Sequence, residues 1–153
     1  LDKWIFSLKL RNSAGVLAAL TALFADRGVS IESLSAQGGG AAQGTAVLTF
    51  AASLSRKNHL ARLLARLASV QEVTEYRYED AGHARKSTLA RVTVSAADLK
   101  ARLPAGILCD VVSEAGGQTL ALLLGPPPAL DALLAEFGAE DAVLEMDSTV
   151  IVV

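Results

Sequence analysis

The chain has 153 residues, room for one medium domain or two small ones, and is 52% hydrophobic and 20% charged, which excludes a disordered chain. The net charge of −2 hides an asymmetry: residues 1–86 carry 11 Lys/Arg against 7 Asp/Glu, residues 87–153 only 3 against 9. Two domains with different surfaces are the natural reading.

Other broad classes fall away quickly. No apolar run approaches the roughly 20 residues of a membrane span, and L-D-K-W-I-F-S-L-K-L lacks the plan of a signal peptide. No membrane and a cytoplasmic location are expected. The lone Cys109 excludes an internal disulfide. The basic residues gather on Arg56-Lys57 and on Arg62 and Arg66, read as a solvated helix face; a nucleic-acid surface calls for more charge and interleaved aromatics.

In chain order, Trp4, Phe6, Leu8 and Leu10 alternate with more polar neighbours, which predicts a half-buried strand over 1–11. A helix is predicted over 14–26, with Asn12 or Ser13 as N-cap and Val16, Leu17, Leu20, Leu23 and Phe24 as its apolar stripe. Gly28 stands where a left-handed residue ends a helix. A strand follows over 30–36, then a glycine-rich hairpin loop over 37–44. That loop lacks the Lys-Ser/Thr pair of a phosphate cradle and leads into a strand, not a helix. A strand over 45–53, a helix over 56–68 striped by Leu60, Leu63, Leu64 and Leu67, and a strand over 70–78 complete a βαββαβ unit.

The segment 80–87, polar and without periodicity, is read as a linker between domains 1–79 and 88–153. Beyond it the pattern repeats: strand 89–95, short helix 97–103 stopped by Pro104, strands 107–114 and 119–125, helix 129–137 led in by prolines, and a long or broken strand 142–153. The fold class is α+β, two ferredoxin-like βαββαβ domains in tandem.

The predicted turn after the first strand has chemical interest. A helix N-terminus offers unpaired N–H groups and a partial positive charge, which suits a carboxylate. Gly15 lets a ligand approach the backbone, and Asn12 supplies a donor and an acceptor. The same residues also make sense with nothing bound, Asn12 as a cap and Gly15 as steric relief; spacing alone leaves both open. No catalytic residues and no metal ligands are expected. His59 and His83 stand apart from any Cys or carboxylate at ligand spacing, Asp110 and Glu114 share a strand face without forming an acid–base pair, and no G-x-S-x-G, H-E-x-x-H or dinucleotide fingerprint occurs.

The run G-V-L-A-A-L-T-A-L-F-A-D-R-G-V-S-I-E-S-L resembles the opening of an ACT domain, the small-molecule-sensing module of amino-acid metabolism. More narrowly, L-x-N-x-x-G-V-L, L-F-x-x-R-G and I-E-S-L in this order resemble the regulatory small subunit of acetolactate synthase (acetohydroxyacid synthase). Leu89–Ala96, Ile107–Val112, and L-D-A-L-L followed by Phe137-Gly138 extend the resemblance more thinly into the second half. It implies that residues 1–79 are an ACT domain pairing with a second copy into a homodimer. Its effector would sit between the strand-1/helix-1 turn of one copy and the start of strand 2 of the other.

Carried across, the effector site comprises Asn12, Gly15, Val16, Ser30 and Ile31. Asn12 would hold the amino acid's polar end, the N–H groups at Gly15 and Val16 its carboxylate, and Ile31 would contribute backbone contacts. Ser30 departs from the family, which has Asn there in members that bind valine; a hydroxyl in place of an amide forfeits a hydrogen bond of about 0.5–1.5 kcal/mol. The hairpin reads Q-G-T where a Ser-Arg pair is usual, and the last strand lacks the usual Arg-Ser-Gly ending.

The resemblance thus implies a non-catalytic regulatory subunit of branched-chain amino-acid biosynthesis. It would bind and activate the acetolactate synthase catalytic large subunit and mediate feedback inhibition by valine or a related amino acid. No cofactor is expected in this chain; thiamine diphosphate, Mg and FAD would belong to the catalytic partner. The alternatives are a free-standing amino-acid sensor governing transcription or another enzyme, and a dimer whose effector site has decayed at Ser30.

Overall fold

Alternation of Trp4, Phe6, Leu8 and Leu10 with polar residues makes strand β1 (Asp2–Arg11) present one face to a core, where all four are buried. Ile5, on the opposite face between Thr49 and Tyr76, is buried as well. The structure, a computed structural model, describes residues 1–39, 42–80 and 82–152. The chain divides into two units, Leu1–Ala81 and Gly82–Ile151.

In the first unit β1 is followed by helix α1 (Val16–Ala25), strands β2 (Ile31–Gly38) and β3 (Gln43–Ala52), helix α2 (Leu54–Leu64) and strand β4 (Val70–Arg77). The sheet order is β2-β3-β1-β4, so β2 is an edge strand, and β1 pairs antiparallel with both β3 and β4. The two helices cover one face. Leu20 and Phe24 of α1 and Leu60 and Leu64 of α2 meet Phe6, Leu48 and Phe50 of the sheet. Phe50 makes T-shaped contacts with Phe6 and Phe24, with ring centroids at 4.8 and 5.0 Å. Leu17, expected in the apolar stripe, is 40% exposed.

The end of α1 follows its glycine. Gly28 is left-handed (φ 61°), its N–H donates to the Ala25 carbonyl at 3.0 Å, and the Val29 N–H donates to the Phe24 carbonyl at 3.1 Å. This is a Schellman ending, sealed by packing of Val29 with Phe24 in the core. Helix α2 starts two residues before expectation because the Ser53 hydroxyl accepts the Arg56 N–H. It also stops earlier, Leu67 and Val70 donating to the carbonyls three residues back, which keeps Leu67 against the core. The basic pair at its start does not form one solvated face. Arg56 is exposed, but Lys57 is 8% exposed, paired with Glu75 and set 4.9 Å from the centroid of the Trp4 ring.

The second unit repeats the plan with β5 (Ala84–Val92), α3 (Ala96–Ala101), β6 (Leu108–Ala115), β7 (Gln118–Gly125), α4 (Pro127–Ala139) and β8 (Val143–Val152), in sheet order β6-β7-β5-β8. Its core joins Val92, Leu99, Leu123, Leu130, Leu133 and Phe137. Strand β5 begins at Ala84, so half of the segment read as linker is strand. Arg85-Lys86-Ser87 conceals it because Lys86 is drawn inward to Asp131 at 2.5 Å. The last strand is a single element.

Both units carry a register shift in the same edge strand, between Ile31 and Ser33 and between Val111 and Ser113. The second shift separates Asp110 from Glu114: Asp110 lies opposite the exposed Leu122, while Glu114 lies opposite the buried Thr119 and accepts the Ala96 N–H at 3.0 Å. The expectation that these two share a face is corrected by that extra residue.

Candidate functional site

The loop from β1 into α1 is held by its backbone. The Arg11 N–H donates to the Ser69 carbonyl and the Asn12 N–H to the Ala42 carbonyl, each at 2.8 Å. The Asn12 side chain lies against the β2–β3 hairpin. A Cβ on Gly38 would come within 3.1 Å of its amide nitrogen, and one on Gly44 within 3.9 Å of its Cβ. Glycine at 38 is what leaves that amide its place.

Neither Asn12 nor Ser13 caps α1. The N-cap is Gly15, left-handed at φ 83°, and no side chain hydrogen-bonds to the helix start. Ser13 contributes its carbonyl, which accepts the Val16 N–H at 3.3 Å. The uncapped end keeps donor capacity and a partial positive charge. A Cβ built on Gly15 would meet nothing within 4 Å, so the approach is open. Beside it lies a hollow of about 430 Å³ lined by Arg11, Ser13, Ala14, Gly15, Val16 and Ala19, with Leu67, Ala68 and Ser69. Arg11, which brings a full positive charge to this hollow, was missed in the sequence; its place at the end of a strand that leads into the helix was the available signal.

Ser30 and Ile31 stand at the other end of α1. They line a second hollow of about 410 Å³ with Thr21, Phe24, Ala25, Gly28 and Val29. Ser30 is exposed, and Ile31 is half-buried opposite Phe50. Ten helical residues at 1.5 Å each separate the two hollows by about 15 Å. One chain therefore brings Gly15 and Val16 together, brings Ser30 and Ile31 together elsewhere, and leaves Asn12 against the hairpin.

Among the described residues no three His, Cys, Asp or Glu side chains are grouped to hold a metal, and no helix is long and apolar enough to cross a membrane. Burial pushes the Cys109 thiol above its ordinary value of 9.0, so it is protonated at neutral pH. His59 is exposed on α2, its Nε2 accepting from Arg27 at 3.4 Å.

Residues 6–77 match the family model of the ACT domain, and that span is the first sheet with its two covering helices. The first unit is an ACT domain. Over its full length the chain has the fold of the acetolactate synthase small subunit from Thermotoga maritima, with a TM-score of 0.75 at 15% identity, covering 100% of this chain and 97% of that one. The regulatory subunit of aspartate kinase from Thermus thermophilus is similar at a TM-score of 0.49 and 14% identity, over 90% of this chain and 93% of that one. A homoserine dehydrogenase from Thiobacillus denitrificans matches 50% of this chain with 17% of its own length, at a TM-score of 0.43 and 23% identity. No curated protein sequence matches the chain. The chain is thus two ferredoxin-like units in tandem, the first of them an ACT domain.

Proposed function

We propose that this chain is the non-catalytic regulatory subunit of an acetolactate-synthase-type enzyme. It acts in the cytoplasm as a homodimer through the ACT domain, activates the thiamine-diphosphate-dependent catalytic subunit, and responds to a branched-chain amino acid. The observation that carries this reading is the full-length match of both units to the Thermotoga small subunit, taken with the motif order around Gly15.

The two separate hollows support a site shared between copies. β2 is an edge strand with unpaired backbone groups, and pairing it with a second β2 would bring one copy's Ser30 and Ile31 toward the other's α1 N-terminus. There the N–H groups after Gly15 and the Arg11 guanidinium receive the effector's carboxylate, and the Ser30 hydroxyl meets its polar end. The test is co-purification with an acetolactate synthase catalytic subunit and a rise in its turnover on mixing. Absence of both removes the assignment. Binding of an amino acid with neither effect selects a free-standing sensor instead.

A further inference from the structure

The first sheet ends at β4, whose far side has no strand beside it, and from Glu72 to Arg77 its register with β1 is unbroken. Sheet edges are ordinarily guarded by outward charges, prolines or bulges. Residues 72–77 hold no proline, and their charges are turned inward. Glu72 is bonded to Lys9, Glu75 to Lys57, and Arg77 reaches Asp2 at 3.7 Å. Alongside this edge runs a groove of about 460 Å³ between β4 and α2, lined by Asn58, Ala61, Arg62, Ala65, Val73 and Glu75. Arg62 and Arg66 are exposed, and among the described residues neither meets a carboxylate. The Arg66 N–H donates to the Leu63 carbonyl at 3.1 Å, so the helical path of α2 continues through it. Four residues of that path set the two arginines about 6–7 Å apart along the axis.

We propose that β4 receives an extended acidic segment of a partner protein as a fifth strand, with carboxylates at alternate positions on the side of α2. Each part of the surface names one feature of this occupant. The outward backbone N–H and C=O groups of β4 are matched only by another backbone, so the occupant is a peptide. Lys57 already neutralises Glu75, which leaves the groove the charge of Arg62, with Arg66 beside it, and so favours carboxylates. Side chains on one face of a strand stand about 6.6–6.8 Å apart, which matches the step from Arg62 to Arg66. A nucleic acid would satisfy the arginines and leave the edge unpaired. The inference goes beyond the regulatory reading and uses none of its site residues.

Fluorescence anisotropy of a labelled, end-blocked peptide T-E-V-E-V-E-T against the full chain tests it. The peptide binds saturably, and T-Q-V-Q-V-Q-T binds about tenfold more weakly, the worth of two surface charge pairs. Arg62→Glu with Arg66→Glu weakens the acidic peptide at least about tenfold and passes the preference to T-K-V-K-V-K-T, while circular dichroism reports the variant folded. Successive N–H groups of a strand point to opposite sides, so N-methylation of the glutamates or of the intervening residues abolishes binding in one set and spares it in the other. No saturable binding, as when a second copy already holds the edge, overturns the proposal. So does indifference to the charge reversal, equal binding of both N-methylated sets, or a single-stranded oligonucleotide of equal charge that binds as tightly. The readout uses neither amino-acid effector nor catalytic subunit, so it stands or falls apart from the regulatory assignment.

Discussion

Gly15→Ala isolates what the α1 entry demands. Because a Cβ there meets nothing within 4 Å, the new methyl clashes with no neighbour and the cost is the left-handed backbone at φ 83°. That cost is about 1–2 kcal/mol for a residue with a Cβ. Gly106, in the second unit, is the control: it too is left-handed, at φ 88°, with open space around it. The sole tryptophan, Trp4, is buried in the first unit's core, so its fluorescence follows that unit. With a urea dependence of about 1 kcal/mol per molar for a domain this small, Gly15→Ala lowers the Trp4 midpoint by about 1–2 M. Gly106→Ala leaves that midpoint in place. Calorimetry against the branched-chain amino acids completes the experiment: the methyl beside the first-turn N–H groups weakens binding at least about tenfold, or 1.4 kcal/mol, while Gly106→Ala leaves it unchanged. A Trp4 midpoint indifferent to Gly15→Ala, or binding that survives the shift intact, refutes the reasoning.

Ser30→Asn supplies an amide where a hydroxyl now stands and tightens branched-chain amino-acid binding by up to about tenfold, read by calorimetry, the worth of one added hydrogen bond. Gly125→Ala is destabilising by about 1–3 kcal/mol in thermal melts, because its Cβ would fall 2.9 Å from Ile107 Cγ1 and 3.3 Å from the Gly106 carbonyl oxygen. Gly138→Ala, within α4 and in open space, stabilises the same unit by about 0.5–1 kcal/mol. The exposed Lys9–Glu72 pair at 2.6 Å fixes a pH dependence. The hydrogen bond from Lys9, then its charge, holds the Glu72 carboxyl below its ordinary 4.5, and the same bond holds the Lys9 ammonium above its ordinary 10.5. The stability that Glu72→Gln removes is present above the ordinary carboxylate value and vanishes as pH falls through the lowered one. What Lys9→Met removes is present below 10.5 and vanishes as pH rises through the raised value, both read from urea midpoints across pH.

The fold was legible because each core face announces its period: Trp4 to Leu10 at two, Leu60 and Leu64 at four, and the second half repeats the first. What stayed hidden were places where tertiary context overrides local pattern. Ile31 and Leu34 both pair with core residues, Phe50 and Leu48, although three residues apart, and only the extra residue between Ile31 and Ser33 makes that possible. No glycine or proline marks that bulge or its counterpart after Val111. Lys57 and Lys86 read as surface, yet each buries its stem and ends on a carboxylate from another element. At the candidate site, Gly15 was legible as a special backbone position. The cap was not: Asn12 and Ser13 are both good cappers by type, and what decides against Asn12 is the hairpin glycine, Gly38, far downstream, that offers its amide another place. Arg11's one signal, its place at the end of a strand that leads into a helix, gains meaning only where Leu67, Ala68 and Ser69, beyond α2, close the hollow around it.

The regulatory assignment is tested most directly by mixing. Titrating the purified chain into an acetolactate synthase catalytic subunit raises turnover to a plateau, and a branched-chain amino acid then lowers that plateau in the wild-type mixture but not with Gly15→Ala. A catalytic subunit whose rate is flat throughout the titration, with no complex on gel filtration, contradicts the assignment.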